Sequence, residues 1–436
     1  MAVSLSGANA PRHSAPAVCP KLPRLPTAPA QRDGPGAGAG VGVSAAARRT
    51  QVTVRGKCPI LGFMKSLGSK ASGARLERMQ ASPRWSGQGF RNRHPILPGL
   101  RDPSAPMPTW SDFLCAQGRG VPARPLPALD PRPAWQRPPG SGLRATWLGH
   151  STVLIEIDGV RILTDPVWGP RASPLRLAGP KRFQPVPVAL RAMPPVDVVV
   201  ISHDHYDHLD YPTIRALARS EVPFVTSLGV GAHLEAWGVN PARITELDWW
   251  ESHDLGRGGV RLTAAPSQHF SGRTLKTRNA TLWSSFVVRS PRHGVFFSGD
   301  TGLTGEYADI RTRLGPFDLV MLEIGAWNAA WGDMHLGPDN AVKALEFLGG
   351  QVFLPVHWGT FRLGLHDWDQ PAERLLELSP RSAARFVMPR LGEPVEPAQA
   401  SGELEPWWRS VDRPQQPQVA DPSEGTLPEV APWPLD

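Results

Sequence analysis

Cysteine is scarce in this chain. Three residues, Cys19, Cys58 and Cys115, are spread over 436 positions, so at least one of them has no partner. An odd, sparse set of cysteines argues against a disulfide framework and favours free thiols in a reducing compartment. None of the three lies near the histidine-rich stretch of the chain.

Long apolar runs are also missing. No stretch reaches 18 apolar residues, which excludes a membrane-spanning helix, and the N-terminus lacks the apolar segment of a secretory signal. Its Ala, Ser and Arg content with almost no acid also fits a transit peptide, but we prefer a disordered extension or a start codon assigned too far upstream. We expect a cytoplasmic protein. Peripheral contact with a membrane and an organellar transit peptide both stay open.

The net charge of +8 is unevenly placed. Residues 1–72 hold ten Lys or Arg and one acid, so this stretch accounts for +9 and the remaining chain carries −1. The part of the chain that is able to fold therefore has no basic excess to attract a phosphate backbone. We expect no nucleic-acid partner.

The chain divides by composition into four stretches. Residues 1–72 are a Pro-, Gly-, Ala- and Arg-rich extension that is predicted to be disordered. Residues 73–142 stay rich in Pro but contain several aromatic side chains, which predicts an irregular segment packed on the domain. Residues 143–400 are well patterned and form the predicted domain. Residues 401–436 return to the composition of a disordered tail.

Within the patterned domain, β-branched runs and turn signals alternate with amphipathic stretches. This interleaving predicts an α+β or α/β class with layered sheets. Strands are predicted at 143–149, 152–158, 160–165, 196–202, 260–265, 281–288, 294–298, 318–324 and 352–356. Helices are predicted at 211–220, 305–314, 338–348 and 370–378.

The densest chemical signal is His-Asp-His-Tyr-Asp-His at 203–208, directly after the predicted strand at 196–202. If the segment leaves a strand and turns into a loop, His203 and His205 point to the same side. Asp207 and His208 then follow on the turn and can reach a second ion. Imidazoles with a carboxylate suit zinc. The alternative is a solvated, histidine-rich surface loop, which the preceding β-branched run disfavours.

Further candidate ligands stand at the ends of predicted strands, where scaffolds tend to place functional side chains. These are His269, Asp300 and His357. Asp300 lies in Ser-Gly-Asp-Thr-Gly, where Gly299 and Gly302 allow a tight turn that aims a carboxylate between two ions. Alone, each would more often be structural, but together with the cluster they predict a two-metal site.

Two more strand-end residues are less certain in role. Asp165 is placed to accept the free N–H of a ligand histidine, although a turn before Pro166 explains it equally well. His150 stands between Gly149 and Ser151, where a turn is expected, and we prefer a structural role for it.

The order of these residues resembles that of the metallo-β-lactamase superfamily, whose signature is H-x-H-x-D-H followed by a His, a bridging Asp and a last His. Finer stretches over residues 73–395 resemble the N-acyl-phosphatidylethanolamine-hydrolysing phospholipase D branch. The matching pieces are TWLGHST (146–152), LTDPVW (163–168), SHDHYDHLD (202–210), PSQHFSGRT (266–274), SGDTG (298–302), GPFDL (315–319), HLGPDNA (335–341) and HWGTF (357–361).

The resemblance implies a four-layer αββα sandwich and two zinc ions. One ion would be held by His203, His205 and His269, and the other by Asp207, His208 and His357, with Asp300 bridging. It also implies that Tyr206 and His335 contact a phospholipid, that Asp207, Asp300 and His335 take part in catalysis, and that the protein forms a homodimer.

Three functions remain open at this point. The first is a phosphodiesterase that cleaves N-acyl-phosphatidylethanolamine to phosphatidic acid and an N-acylethanolamine. The second is a related hydrolase of a soluble phosphoester or a lactone, because residues 85–142 and 169–195, which would shape the substrate groove, match the branch least. The third is a metal-bound protein without turnover, which the retained Asp207 and Asp300 disfavour. Trp and Leu residues near 85–113 are candidates for membrane contact, although we prefer that they pack on the domain.

Overall fold

The structure is a computed structural model that describes residues 59–95, 120–175, 177–328 and 333–412. Its strands are β1 (Trp85–Ser86), β2 (Gly89–Phe90), β3 (Leu143–Gly149), β4 (Thr152–Ile157), β5 (Val160–Thr164), β6 (Val198–Ile201), β7 (Phe224–Ser227), β8 (Ile244–Leu247), β9 (Ser252–Asp254), β10 (Arg261–Ala265), β11 (Ser285–Arg289), β12 (Gly294–Phe297), β13 (Leu319–Glu323), β14 (Val352–Val356), β15 (Arg385–Phe386) and β16 (Pro394–Val395).

Most of the α-helices lie between parallel strands. They are α1 (Pro59–Ser66), α2 (Gly73–Ala81), α3 (Arg132–Trp135), α4 (Tyr211–Leu217), α5 (Gly231–Ala236), α6 (Glu306–Leu314), α7 (Gly337–Leu348) and α8 (Gln370–Leu378). Single 3-10 turns occupy Leu190–Ala192, Pro241–Arg243, Leu275–Thr277, Ser379–Arg381, Pro397–Gln399 and Trp407–Asp412.

Two mixed sheets carry the fold. The first has the order β16-β3-β4-β5-β6-β7-β8, and the second has the order β15-β14-β13-β12-β11-β10-β9. In each sheet, one half is built from antiparallel hairpins (β3-β4-β5 and β9-β10-β11-β12) and the other from parallel strands (β5 to β8 and β12 to β15). Helices α4 and α5 connect the parallel strands of the first sheet, and α6, α7 and α8 connect those of the second.

Side-chain alternation explains why the sheets form layers. In β6, Val198 and Val200 enter the core shared with the second sheet, whereas Val199 and Ile201 pack on the other side with residues of α4 and α5. Successive strand residues point to opposite faces, so a strand that is apolar throughout must be covered on both sides. Helix α7 packs on β13 across the outer face of the second sheet. The fold is the predicted α+β four-layer αββα sandwich.

The topology gathers several strand ends at one edge. Parallel β5, β6, β12, β13 and β14 all run in the same direction within their sheets, so their carboxyl ends meet at the same edge of the sandwich. The residues that follow these strands include Asp165, the 203–208 cluster, Asp300 and His357. The fold therefore brings these side chains to the same edge, as predicted from the sequence.

Every strand and helix predicted from the patterned region is present, although β11 begins at Ser285 rather than at 281 and α4 ends at Leu217 rather than at 220. The strands β7, β8 and β9 and the helix α5 were not predicted. Their sequences are short, and some mix polar with apolar residues, as in Ile244–Leu247 (ITEL). The three strands therefore depend on pairing with their neighbours, β7 with β6 and β8, and β9 with β10, rather than on local pattern.

Two described stretches differ from the predicted domain boundaries. Residues 59–72, at the end of the predicted disordered extension, contain α1, whose last carbonyls accept hydrogen bonds from Trp237 Nε1 at Lys65 O (2.7 Å) and Arg273 Nη2 at Ser66 O (2.8 Å). Helix C-terminal carbonyls need such donors. Both donors lie more than 170 residues away, so local composition could not reveal them. The rest of the predicted extension lies outside the described residues.

Residues 401–412 of the predicted disordered tail are described, and part of them packs on the domain. Trp407 and Trp408 are buried, and their indole N–H groups donate to Met388 O (2.7 Å) and Glu373 Oε1 (2.7 Å). Two large apolar rings with satisfied donors are enough to hold a short 3-10 turn on the domain. Residues 413–436 lie outside the described residues, as do positions 96–119 of the irregular segment.

Among the described residues, none of the helices has the length and apolar character needed to cross a bilayer. Trp85 and Phe90, which belong to the candidate membrane-contact stretch, pack instead with Met79 and Trp249 in a small core of their own. The preferred packing interpretation therefore holds for these two residues.

Candidate metal centre

The histidine cluster is a tight turn fixed at both ends. It follows β6, and the N–H groups of His208 and Leu209 donate to His205 O at 3.1 and 2.8 Å, which folds Asp207 and His208 back over the strand end. Asp210 closes the turn by accepting from Thr213 N (3.2 Å) as the N-cap of α4. The predicted change from strand to loop to helix is the local cause of the cluster's shape.

A first donor group contains three imidazoles and one carboxylate. His205 Nδ1 lies 2.9 Å from His203 Nε2 and 3.3 Å from His269 Nε2. Asp300 Oδ2 lies 3.7 Å from the Nε2 atoms of both His203 and His269. These four residues are those that the sequence predicted for one zinc ion and the bridge.

A second donor group faces the other oxygen of the same aspartate. Asp300 Oδ1 lies 3.1 Å from His208 Nε2 and 3.3 Å from His357 Nε2. Asp207 Oδ2 lies 3.3 Å from His357 Nε2 and 3.4 Å from His208 Nε2. The structure therefore brings all seven predicted ligands together, with Asp300 directed to both groups.

These separations fit a metal better than they fit hydrogen bonds. Donor atoms about 2.0–2.2 Å from a tetrahedral zinc ion are about 3.3–3.6 Å apart, which matches the second group closely. His208 Nε2, His357 Nε2 and Asp300 Oδ1 are all buried without a hydrogen-bond partner. Buried polar atoms are nearly always satisfied, so three orphaned donor atoms that face one point indicate a cation site.

Most of the imidazoles are oriented through their second nitrogen. His208 Nδ1 lies 2.7 Å from Asp165 Oδ2, the contact predicted for Asp165, and Asp165 Oδ1 also accepts from Ser202 N (2.7 Å). His269 Nδ1 lies 2.9 Å from Met334 O. Because carboxylate and carbonyl oxygens only accept, both Nδ1 atoms carry a proton, and Nε2 is the atom of each ring that is left to bind a metal once it is unprotonated.

Burial and charge set the protonation of the site. Burial, reinforced by neighbouring imidazoles, lowers the pKa of His203 well below its ordinary value. Burial opposes ionisation of Asp207 and Asp300, but His208 beside them outweighs it and holds the pKa of both carboxyls well below the usual range. Burial also lowers the pKa of His357, but Asp300 and Asp207 outweigh it and raise that pKa to about 10. Protons on imidazoles thus occupy the place that a cation would take beside two ionised carboxylates.

His150 belongs to the site and not only to a turn, which corrects the preferred sequence interpretation. Its Nε2 lies 2.9 Å from Asp207 Oδ2, and its ring centroid lies 4.0 Å from that of His357. Burial, together with His357, lowers its pKa to about 3, so it is a neutral donor that orients Asp207. His150 has a positive φ of +52°, and Asp165 (+32°) and His357 (+63°) also have positive φ angles. Such backbone strain is concentrated at functional sites.

Glycines allow the close approach around Asp300. Gly299 has φ +55°, and a Cβ there would lie 2.6 Å from Ser202 Cβ. A Cβ on Gly302 would lie 2.2 Å from Asp333 O. Only glycine fits such contacts, so the predicted turn that aims the carboxylate has a physical basis.

Tyr206 and His335, the predicted lipid contacts, have different surroundings. The Tyr206 hydroxyl donates to Arg273 O (2.7 Å), and its ring packs near Val167 and Phe361. His335 Nδ1 lies 2.6 Å from Glu323 Oε2, and its ring centroid lies 5.0 Å from that of His269. Contact of either residue with a phospholipid stays a prediction.

Sequence reasoning missed two residues that hold the site. Glu323, the last residue of β13, is fully buried beside His335. Arg273 is buried and donates through Nη1 to Asp204 O (2.7 Å) and Leu209 O (3.0 Å), which spans the histidine loop. Its guanidinium lies 4.0 Å from the Tyr206 ring. A charged residue at a strand end was a usable signal for Glu323. Arg273 lies within the matching stretch PSQHFSGRT (266–274), but no role was predicted for it.

Comparison with known proteins agrees with this geometry. Residues 160–358 match the model of the beta-lactamase superfamily domain. An uncharacterized protein of Mycobacterium tuberculosis is 43% identical over 352 residues, which cover 80% of this chain and 93% of that protein. N-acyl-phosphatidylethanolamine-hydrolyzing phospholipase D 1 of Caenorhabditis elegans is 38% identical over 249 residues, which cover 55% of this chain and 70% of that protein.

A mitochondrial N-acyl-phosphatidylethanolamine-hydrolyzing phospholipase D of Saccharomyces cerevisiae is 32% identical and covers 53% of this chain and 50% of its own length. Among solved structures, isothiocyanate hydrolase from Delia radicum gut bacteria matches with TM-score 0.48 and 20% identity, over 58% of this chain and 98% of that one. The chain belongs to the metallo-β-lactamase superfamily of hydrolases. Within that superfamily it resembles the N-acyl-phosphatidylethanolamine-hydrolysing phospholipases D.

Proposed function

We propose that this protein is a dinuclear zinc phosphodiesterase that hydrolyses N-acyl-phosphatidylethanolamine to phosphatidic acid and an N-acylethanolamine. The observation that carries the proposal is the pair of donor groups that share Asp300, one oxygen to each. Structural zinc sites are usually single-ion sites of Cys and His, whereas this set contains two carboxylates and joins two donor groups through one of them. The two named phospholipase D relatives support the choice of substrate.

The seven residues would hold the two ions. His203, His205 and His269 would hold one, Asp207, His208 and His357 the other, and Asp300 both. Bound divalent ions supply Lewis acidity and lower the pKa of water toward neutrality. We name zinc because imidazole-rich sets with carboxylates suit it.

The chain's own residues divide the remaining work. Asp207 is 13% exposed, whereas His203, His208 and Asp300 are at most 2% exposed, so its carboxylate reaches the open side of the site and orients an incoming nucleophile. The His150 contact at 2.9 Å fixes that carboxylate. His335, 14% exposed, lies near His269 and His357 and is proposed to contact the phosphate or to protonate the departing alkoxide.

Access to a phospholipid requires a surface that meets a bilayer. Exposed Met64, Leu175, Leu177 and Leu275 form what we call the apolar rim, of which Leu177 is 91% and Leu275 is 100% exposed. Their segments meet, since Ser66 Oγ donates to Pro174 O (3.2 Å) and Arg273 Nη2 donates to Ser66 O (2.8 Å).

The charge around the rim suits an anionic membrane. Exposed Lys65, Lys181 and Lys276 lie in or next to the same segments, and no Asp or Glu occurs in 63–70, 171–181 or 271–278. Leucines flanked by lysines are typical of surfaces that bind anionic lipid. Because the Tyr206 hydroxyl is bonded to Arg273, the rim adjoins the histidine loop. Peripheral membrane contact is thus part of the proposal, and homodimer formation and cytoplasmic location stay predictions.

The decisive experiment offers the zinc-loaded protein three substrates and identifies the products by mass spectrometry. These are N-acyl-phosphatidylethanolamine in vesicles, a soluble phosphodiester and a homoserine lactone. We expect phosphatidic acid and N-acylethanolamine from the first. Cleavage of the lactone alone would reverse the proposal, and cleavage of the soluble diester alone would retain the chemistry but not the lipid. His203→Ala and His357→Ala should each lower bound zinc and turnover together.

A further inference from the structure

A buried carboxylate beside the site is left without a role by the proposed ligand set. Glu323 ends β13 and has no solvent exposure. Its Oε1 accepts from Thr301 N (2.6 Å) and Leu336 N (3.4 Å), and its Oε2 lies 2.6 Å from His335 Nδ1. Removing a carboxylate from water is costly unless it is paired, so these contacts are what allow it to stay inside the protein.

Both oxygens of Glu323 are engaged by the protein. Oε2 contacts His335 and lies 3.8 Å from His357 Nδ1, and Oε1 is shared by two backbone N–H groups. Asp300, Glu323, His335 and His357 are close enough to form a further group of candidate metal ligands, but the hydrogen bonds of the carboxylate go to His335 and to the backbone and not to any of the seven predicted ligands.

The contact with His335 fixes where that ring carries its proton. An ionised carboxylate only accepts, so a contact of 2.6 Å requires a proton on Nδ1. The neutral ring then presents Nε2 as a lone pair, and the charged ring presents it as a donor. The ring centroid lies 5.0 Å from that of His269 and 5.5 Å from that of His357, which places it between the two donor groups.

We infer that Glu323 is a positioning residue that holds the tautomer and orientation of His335. The backbone around the ring is already fixed, since Met334 O, one residue before it, lies 2.9 Å from His269 Nδ1 and Leu336 N, one residue after it, donates to Glu323 itself. Rotation of the side chain is the freedom that remains, and the carboxylate removes it. The role of His335 in turnover rests on the proposed function, but the geometry of the pair does not.

Glu323→Gln separates this role from a structural one. The glutamine oxygen can still accept from Thr301 and Leu336, whereas its amide donates to His335 and so requires an unprotonated Nδ1, which moves the proton to Nε2. Loss of an oriented histidine partner typically costs about 10–100-fold. We expect kcat on the vesicle substrate to fall by that factor, with KM within about threefold of the native value and with two metal ions per chain retained. Glu306→Gln is the matched control. Glu306 is also buried, with 2% of its surface exposed, and its side chain contacts Thr304 and no histidine of the site.

A double variant tests whether Glu323 acts through His335. In a His335→Ala background, Glu323→Gln should add less than about a twofold loss, since residues that act as a unit are not additive. A further tenfold loss in that background, or loss of metal in the single variant, would assign Glu323 a structural role and overturn the inference.

A readout without turnover keeps this inference separate from the proposed function. Long-range nitrogen-15 NMR of the histidine rings, with His335 assigned by its absence in His335→Ala, should show a protonated Nδ1 in the native protein and, if the variant folds, a protonated Nε2 with bare Nδ1 in Glu323→Gln. An unprotonated Nδ1 on His335 in the native protein would contradict the inference even if the lipid is hydrolysed. Failure to hydrolyse the lipid, with the expected tautomer present, would contradict the proposed function alone.

Discussion

The two sheets contribute to the candidate centre in different ways. The first sheet supplies four of the seven predicted ligands from one turn, His203, His205, Asp207 and His208. The second sheet supplies single side chains after three separate strands, His269 after β10, Asp300 after β12 and His357 after β14. One half of the site is thus built by local sequence and the other by sheet register. The two halves should therefore respond differently to substitution.

The largest effect is expected at the residue that joins the halves. Asp300→Asn removes one charge that both donor groups use, so both ions should be lost and the rate should fall by about 1000-fold or more, since metal ions supply several kcal/mol of charge stabilisation. Metal analysis by mass spectrometry and single-turnover kinetics measure this. His203→Ala should instead remove mainly one ion. Equal metal loss in the two variants would contradict the shared role, and Asp254→Asn on exposed β9 is the control.

A second substitution separates metal binding from orientation. In Asp165→Asn, the amide would replace the oxygen that accepts from His208 Nδ1 and would shift the proton onto Nε2. Metal affinity should fall about 10–100-fold, measured by competition with a chelator. Glu323→Gln should leave affinity unchanged, so the contrast between the two sheets fails if both variants bind metal alike.

Metal affinity should rise with pH. In the metal-free protein the Asp300 and Asp207 carboxylates raise the pKa of His357 to about 10, so near neutral pH this ring is protonated and must release its proton when it binds a cation. Each proton released makes affinity about tenfold tighter per pH unit. This increase of metal affinity with pH should continue up to about pH 10, and above that pH the contribution of His357 to it should stop. Calorimetry in buffers of different ionisation enthalpy counts the protons, and zero release would contradict this assignment.

The smallest expected effect lies at the apolar rim, beside the first-sheet half of the site. Leu177→Ser with Leu275→Ser should weaken binding to anionic vesicles about three- to tenfold, because each exposed leucine contributes at most about 1–2 kcal/mol on insertion. Turnover of a soluble phosphodiester should be unchanged. Vesicle sedimentation measures binding, and Phe347→Ser, an exposed apolar residue on α7, is the matched control. Equal loss in the control would remove the rim from the proposal.

The same contrast explains what could be predicted from sequence. The histidine turn was predicted because strand, ligands and helix cap are contiguous, and the single ligands because each follows a predicted strand. Glu323 was missed since its meaning depends on Thr301 and His335, 22 and 12 positions away. His150 was underrated because its contact with Asp207 spans 57 positions. Residues 59–72 and 407–412 are likewise held in place by hydrogen bonds and apolar contacts with residues far away in the sequence.

The contacts of Arg273 bear on whether the histidine turn needs a metal ion to keep its shape. Its guanidinium binds the carbonyls of Asp204 and Leu209, at either end of the histidine turn, and rests on the carbonyl of Ser66. Protein groups alone therefore hold the turn in shape, unlike a zinc finger, whose chain stays unfolded until its ion binds. We therefore expect the chain to keep its fold when the ions are removed, so that the ions could be loaded or exchanged without unfolding it.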